Sequence, residues 1–249
     1  MLDIAIEAAK AGGQVAYSYF KNIPKVSYKA DKSPVTKADK ETEKLIRGIL
    51  GRKFPDHGII GEELPPTNQK AKLQWVIDPI DGTRDFIRGI PFWSVFVALL
   101  KKDKPIISVV YFPVSNELYY AQRGKGAFLN KQKLQVSKIR NLEDAYISHG
   151  GLKRFVEKDK ENQLEKLCKL TATSRNYGNL GFKLFLEGKL DVLVESYGAF
   201  YDFAAPSLIT EEAGGVFTDF AGNKLLKSGN GVHTNKYLHK QVINILNSN

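Results

Sequence analysis

WVIDPIDGTRDFIRG, residues 75–89, ends an apolar run in two acids and a pair of glycines. Trp75, Val76 and Ile77 have the bulk of a buried strand. Asp78 and Asp81 follow, separated by Pro79 and Ile80. Pro79 has no N–H with which to continue a ladder, so the strand is expected to stop here with both carboxylates turned to one side. Acids that close repel and one pKa rises, unless a cation neutralises them. Hard divalent cations take all-oxygen sites of this kind, and Mg²⁺ keeps positions open for water and phosphate. The Ile80 carbonyl, between the acids, is a further donor. Gly82 allows close backbone approach, and the Gly82 and Thr83 amides at an expected helix start suit a phosphate oxygen. A plainer reading stands beside this one. Asp-Pro and Asp-Gly are common turn pairs, and Asp81 can do no more than cap the next helix.

Other acids bear on the choice. Glu62 and Glu63 follow the apolar stretch in HGIIGEEL, where paired acids call for a positive partner unless they are solvated loop residues. Asp202, in FYDFAAPSLITEEAGG, precedes a small-residue helix and can serve as its N-cap. Asp39, in SPVTKADKETE, reads alone as an exposed helix acid. His57, His149, His233 and His239 lack zinc-ligand spacing, and no GxSxG elbow accompanies them. Gly124-Lys125-Gly126 lacks the Lys-Ser/Thr pair of a P-loop and reads as a hairpin turn. Glu211-Glu212 before Ala213-Gly214-Gly215 reads as a helix end.

The chain has 249 residues, 43% of them hydrophobic, enough for a sizeable core. Cys168 is the only cysteine, which excludes an intrachain disulfide and fits a reducing compartment. The N-terminus carries Asp3 and Glu7 where a signal peptide would be basic and apolar, and reads as an amphipathic helix. The longest apolar run, residues 90–100, is short of the about 20 residues a membrane span needs, so a soluble cytoplasmic protein is expected. The net charge of +10 would suit nucleic acid, but the lysines are scattered with acids interleaved. They read as a solvated surface whose field also favours a small acidic substrate.

Periodicity places a helix over residues 35–50, from Thr36 and Asp39 to Gly51. Strands are expected at 74–78, 94–101, 106–112 and 117–122, and in GKGAFLN. The second half holds strands near AYISH and LTATS and in LDVLVES and GVFTD, with helices near 156–168, in NLGFKLFLEG and in DFAAPSLITEEAGG. Helices covering mixed sheets make an α/β or α+β protein, expected as a single domain with halves near 1–140 and 141–249.

SPVTKAD, FPDHGIIGEE, WVIDPIDGTRDFIRGIPF and YDFAAPSLITEEAGG occur in the order and approximate spacing of the inositol monophosphatase superfamily. The resemblance spans residues 1 to about 220, and DPIDGT with GEE and the late D-x-A-A is its most specific part. It implies a layered αβαβα sandwich and Mg²⁺-dependent hydrolysis of a small phosphorylated metabolite, by a homodimer as the superfamily favours. Carried over by position, it implies that Glu62, Asp78, the Ile80 carbonyl, Asp81 and Asp202 hold two or three Mg²⁺ ions. Asp39 and Thr83 resemble the pair that, with Glu62, positions and deprotonates the attacking water, and Gly82 and Thr83 contact phosphate. Glu195 in LDVLVES matches a position that touches substrate hydroxyls, though alone it reads equally as a strand-end surface acid.

Arg84 after DGT, RGIP at 88–91 and FPDHGIIGEE resemble the histidinol-phosphate phosphatases of the superfamily more than the inositol enzymes. Asn179, in RNYGNLGF, departs from the Asp expected there, and Tyr201 replaces a Trp common in inositol enzymes. L-Histidinol phosphate is therefore the expected substrate, ahead of inositol 1-phosphate and of a sugar bisphosphate such as fructose 1,6-bisphosphate. Glu195, Arg84 and Asn179 are the candidates for contact with the leaving alcohol. A homologue that binds metal or nucleic acid without turnover would show a substituted ligand, and no matched position is substituted.

Overall fold

A computed structural model describes residues 1–23, 25–30 and 34–248. Ser33, where SPVTKAD begins, lies outside the described residues. Two compact units emerge, Met1–Gln132 and Lys133–Asn249.

In the first unit, α1 (Leu2–Phe20) and α2 (Lys37–Lys53) flank a two-stranded antiparallel ladder of β1 (Ser27–Tyr28) and β2 (Pro34–Val35). α2 starts at a capping box: Thr36 is the N-cap, and Asp39 in the first turn accepts from the Thr36 backbone. A seven-stranded sheet follows in sequence order: β3 (Gly58–Gly61), β4 (Leu73–Asp81), β5 (Ser94–Lys101), β6 (Lys104–Phe112), β7 (Glu117–Gln122), β8 (Gly126–Leu129) and β9 (Gln132–Lys133). β3 and β4 run parallel, and the pairs from β4 to β8 are antiparallel. Gly124 and Gly126, both at positive φ, turn the β7–β8 hairpin, as GKG predicted.

Trp75, Ile77, Val95, Val97, Leu99, Ile107, Val109 and Tyr111 form one core with the small residues of α1 and with Ile46, Ile49 and Leu50 of α2. Val76, Ala98 and Val110, on the opposite face, are buried too, which is why these strands read as continuous apolar runs rather than alternating ones.

β4 does not stop at Asp78. It runs through Pro79 to Asp81, with a register shift against β5 that pairs Asp78 with Phe96 and Asp81 with Ser94. Three steps on β4 match two on β5, so the strand carries one extra residue, a β-bulge at the proline that cannot donate. Residues three apart on a regular strand face opposite ways, and the bulge cancels that. Ile77 and Ile80 both pack toward α1 and α2, Ile80 with Ala16, Ala38, Phe86 and Trp93. Asp78 and Asp81 are thereby set on the other side. α3 (Thr83–Phe86) follows and is only one turn long, with Gly82 as its N-cap at φ 88°, a left-handed conformation that suits glycine.

In the second unit, β10 (Tyr146–His149), β11 (Thr173–Arg175), β12 (Val192–Glu195), β13 (Gly215–Thr218) and β14 (Gly231–Asn235) form a sheet of order β11-β10-β12-β14-β13. The helix expected at 156–168 is two, α4 (Leu152–Val156) and α5 (Glu161–Lys169), parted where Asp159 takes φ 53°. α6 (Asn179–Leu186), α7 (Phe200–Glu212) and α8 (His239–Leu246) complete it. α5 and α8 share a core with Ile147, Val192, Val194 and Val232 of the sheet. α8 and β14 had no counterpart in the sequence reading. Among the described residues no helix is long and apolar enough to cross a membrane.

Candidate active site

In the first unit the acids that looked separable are drawn together. Asp39 is not an exposed helix acid: only 1% of it is accessible. Its Oδ2 accepts from the Thr36 N–H at 2.8 Å and the Thr36 hydroxyl at 2.7 Å. Oδ1 lies 3.4 Å from the Thr83 hydroxyl, the pair of residues that the resemblance implied. Burial raises the Asp39 carboxyl above its ordinary range, against the lowering hydrogen bonds from Thr36, and the charge of Glu62 adds to the rise. The Thr83 hydroxyl also lies 3.0 Å from the Ile80 carbonyl.

Asp78 is buried, and its Oδ1 accepts from the Ile80 N–H at 3.1 Å. Asp78 and Asp81 each offer an oxygen within 4.8 Å of the other's. The plain reading of Asp81 as a cap is not needed, because Gly82 holds the N-cap position. Across the ladder from Asp81, the Ser94 hydroxyl is buried without a partner among the described residues. Two carboxylates, an intervening carbonyl and an orphaned hydroxyl, with no histidine or cysteine, fit a hard divalent cation.

Glu62 and Glu63 have the positive partner that their placement called for. Lys29 Nζ sits 2.6 Å from an oxygen of each. Burial opposes charge on Lys29, but hydrogen bonds and charge from both glutamates outweigh it and hold the ammonium above its usual range. Burial pushes Glu63 up to about 7, with the Lys29 hydrogen bond pulling the other way. Lys29 directly follows β1, in the lysine-rich sequence KNIPKVSYKADKS, and carried no local signal for this role. Arg84 is exposed on α3.

In the second unit, Asp202 is not an N-cap, the plainer of the two readings of its place near a helix start. It sits in the first turn of α7, and its Oδ2 accepts from the Ala199 N–H at 2.7 Å, as Asp39 does from Thr36 in α2. Glu195 ends β12 with its carboxyl turned inward: a Cβ on Gly150 would meet its Oε2 at 2.1 Å. Burial, then the charge of Asp202, pushes the Glu195 carboxyl up to about 8. Asn179, half-buried, opens α6.

The whole chain, residues 1–249, matches the inositol monophosphatase family. A histidinol-phosphatase of Chlorobaculum parvum is 35% identical over 233 residues, 93% of this chain and 90% of its own. The Nus factor SuhB of Escherichia coli is 36% identical over 257 residues, 98% and 94% of the two chains. A solved IMPase of Thermotoga maritima has the same fold at a TM-score of 0.88 and 32% identity, over 99% of this chain and 96% of its own. With acids and fold in agreement, the chain belongs to the inositol monophosphatase family and is a metal-dependent phosphoric monoester hydrolase.

Proposed function

We propose that this phosphatase hydrolyses L-histidinol phosphate with Mg²⁺, two or three ions being held by Glu62, Asp78, the Ile80 carbonyl, Asp81 and Asp202. The observation that best supports a water-activating site is the Thr83 hydroxyl poised between Ile80 O and Asp39 Oδ1, two residues beyond the bulged aspartates. Bound Mg²⁺ supplies charge that neutralises phosphoryl oxygens and acidifies a water.

The chain's own part is alignment and proton transfer. A hydroxyl has one proton to give, so Thr83 can serve Ile80 O or Asp39, not both fully. Were the Ile80 carbonyl to serve as a ligand, the Thr83 hydroxyl would turn its proton to Asp39, and its lone pairs would be free to accept from water. Asp39 is suited to take the proton because burial already favours its neutral form. Thr36 keeps the other carboxyl oxygen fixed. The backbone of Gly82 and Thr83 receives the phosphate.

Specificity falls to groups that meet the leaving alcohol, for which Glu195, Arg84 and Asn179 are the candidates. A carboxyl pushed up to about 8 ionises readily only beside a cation, and the ammonium of histidinol is one. The histidinol-phosphatase relative supports the same choice. Inositol 1-phosphate is the second reading, favoured by the neutral side chain at Asn179 and by the Thermotoga relative.

Measuring kcat/KM for L-histidinol phosphate, inositol 1-phosphate and fructose 1,6-bisphosphate on wild type and Glu195→Gln separates them. The variant is expected to lose histidinol phosphate turnover far more than inositol phosphate turnover. A wild-type preference for inositol phosphate of roughly tenfold, about 1.4 kcal/mol of transition-state discrimination, would overturn the substrate while leaving the metal chemistry intact. The same reading makes the protein a cytoplasmic homodimer, and a monomeric mass by sedimentation would refute the dimer.

A further inference from the structure

Asp39, Glu43 and Arg47 follow one another at four-residue spacing along α2 and share one stripe of that helix. Glu43 is wholly enclosed, with 0% of it accessible. Its Oε2 accepts from the Glu63 N–H at 2.7 Å, and its Oε1 from the Leu64 N–H at 3.2 Å and from Arg47 Nε at 2.7 Å. Arg47 Nη2 reaches on to the Leu64 carbonyl at 2.9 Å. Gly61 lies against the same carboxylate, where a Cβ would come within 2.0 Å of Oε1.

A buried ion pair is a weak source of stability, since apolar residues of similar size commonly do as well. α2 already packs through Ile46, Ile49 and Leu50. What the pair does that apolar side chains could not is grip the backbone of residues 63 and 64. Glu62 is therefore flanked by Gly61, pressed on Glu43, and by the Glu63 N–H, bonded to it. The Glu62 N–H itself donates to Ile77 O at 3.2 Å, next to Asp78. One helix thus carries both the Asp39 carboxyl and the clamp that fixes the segment bearing Glu62.

We propose that Glu43 and Arg47 are positioning residues that set Glu62 relative to Asp39 and Asp78, and so determine how tightly the site holds its metal. This rests on the metal-site reading above. It can be tested by calorimetric titration with Mn²⁺ and Mg²⁺, alongside the Mg²⁺ dependence of aryl phosphate hydrolysis. Glu43→Gln combined with Arg47→Met removes both charges, so neither is left buried and unpaired. Ile49→Ala, on the same helix but within the core, supplies a destabilised control that leaves the clamp intact.

The double variant is expected to stay folded and to bind metal at least roughly 10-fold more weakly, the usual effect of losing a group that orients a ligand. The Mg²⁺ needed for half-maximal hydrolysis should rise in proportion, with a smaller fall in kcat at saturating Mg²⁺. Ile49→Ala should lower Tm and leave metal affinity as in wild type. Arg47→Lys keeps the charge beside Glu43 but gives up the fork to Leu64 O, and should show a smaller loss in the same direction. It is the deciding variant if the double one fails to fold. Wild-type affinity in the folded double variant, or in Arg47→Lys where that must decide, overturns the proposal, as does an equal loss in Ile49→Ala. Failure of the metal site itself would show separately, as equal metal binding by wild type and Asp78→Asn.

Discussion

Lys29 illustrates how one side chain can stand in for an ion. Its ammonium, 2.6 Å from both Glu62 and Glu63, occupies an oxygen of Glu62, one of the proposed metal ligands. Lys29→Met is therefore expected to tighten Mn²⁺ binding by about fivefold, the equivalent of a partly exposed ion pair worth about 1 kcal/mol. Unchanged or weaker binding in a titration would remove Lys29 as a competitor. Asp78→Asn and Asp81→Asn each delete a hard ligand at constant size and should abolish Mg²⁺-dependent turnover while the Tm stays near wild type, because a repulsive pair has been relieved. Turnover retained by either variant would rule that residue out. Thr83→Ala should lower kcat by roughly 10²- to 10⁴-fold, the span of general-base assistance, and move KM less. A near-normal kcat would leave the Asp39 contact without a catalytic role. That Asp78 meets Asp81 and Thr83 meets Asp39 was legible because these residues sit in short motifs. Lys29 and Glu43 were not, because their partners lie 33 and 20 residues away and each is one charge among many on a lysine- and glutamate-rich stretch.

At the level of the element, α1 depends on what its side chains lack. Ala5, Ala8, Ala9, Gly12, Gly13 and Ala16 are its buried residues, and a Cβ on Gly13 would come within 2.6 Å of the Tyr111 ring and 2.9 Å of Pro113. Alanine favours a helix over glycine by about 1 kcal/mol, whereas overpacking a tight contact costs about 1–3 kcal/mol. Gly13→Ala should thus lower Tm by several degrees, and a raised Tm in a thermal melt would show that α1 can shift away from β6. The long strands were visible as apolar runs, and α2 through its cap and spacing. Asp202 was placed one step outside its helix because an acid at the N-cap and one at the third helical position both belong near a helix start, and only the backbone tells them apart. β14 escaped notice because GVHTN has one apolar residue, its burial coming instead from His233, Thr234 and Asn235 with hydrogen-bonded side chains.

For the molecule as a whole, His233 is the group whose titration bears most directly on folding. It is enclosed by Phe182, Phe185 and Phe217, its Nδ1 is 2.7 Å from the Thr210 hydroxyl, and burial pushes its pKa down to about 3 from 6.5. The unfolded chain binds the proton first, so the stability His233 contributes is whole above pH 6.5 and drains away as pH falls toward 3. At pH 5 the loss is about 2 kcal/mol. Glu63 and Glu195, raised by burial, act in the opposite sense, so the histidine is best isolated by difference. His233→Gln should be less stable than wild type at pH 8 and close that gap by about 2 kcal/mol at pH 5 in urea titrations. A gap independent of pH would mean the ring is already charged or already solvated. The two-fold alternation by which strands are read in sequence holds through Ile77 and resumes after Pro79 out of phase. The convergence of Asp78 and Asp81 exists only through that slip: counted in steps, the stretch is an off-by-one in an otherwise even rhythm, and the number of residues, more than side-chain identity, decides that acid and core point apart.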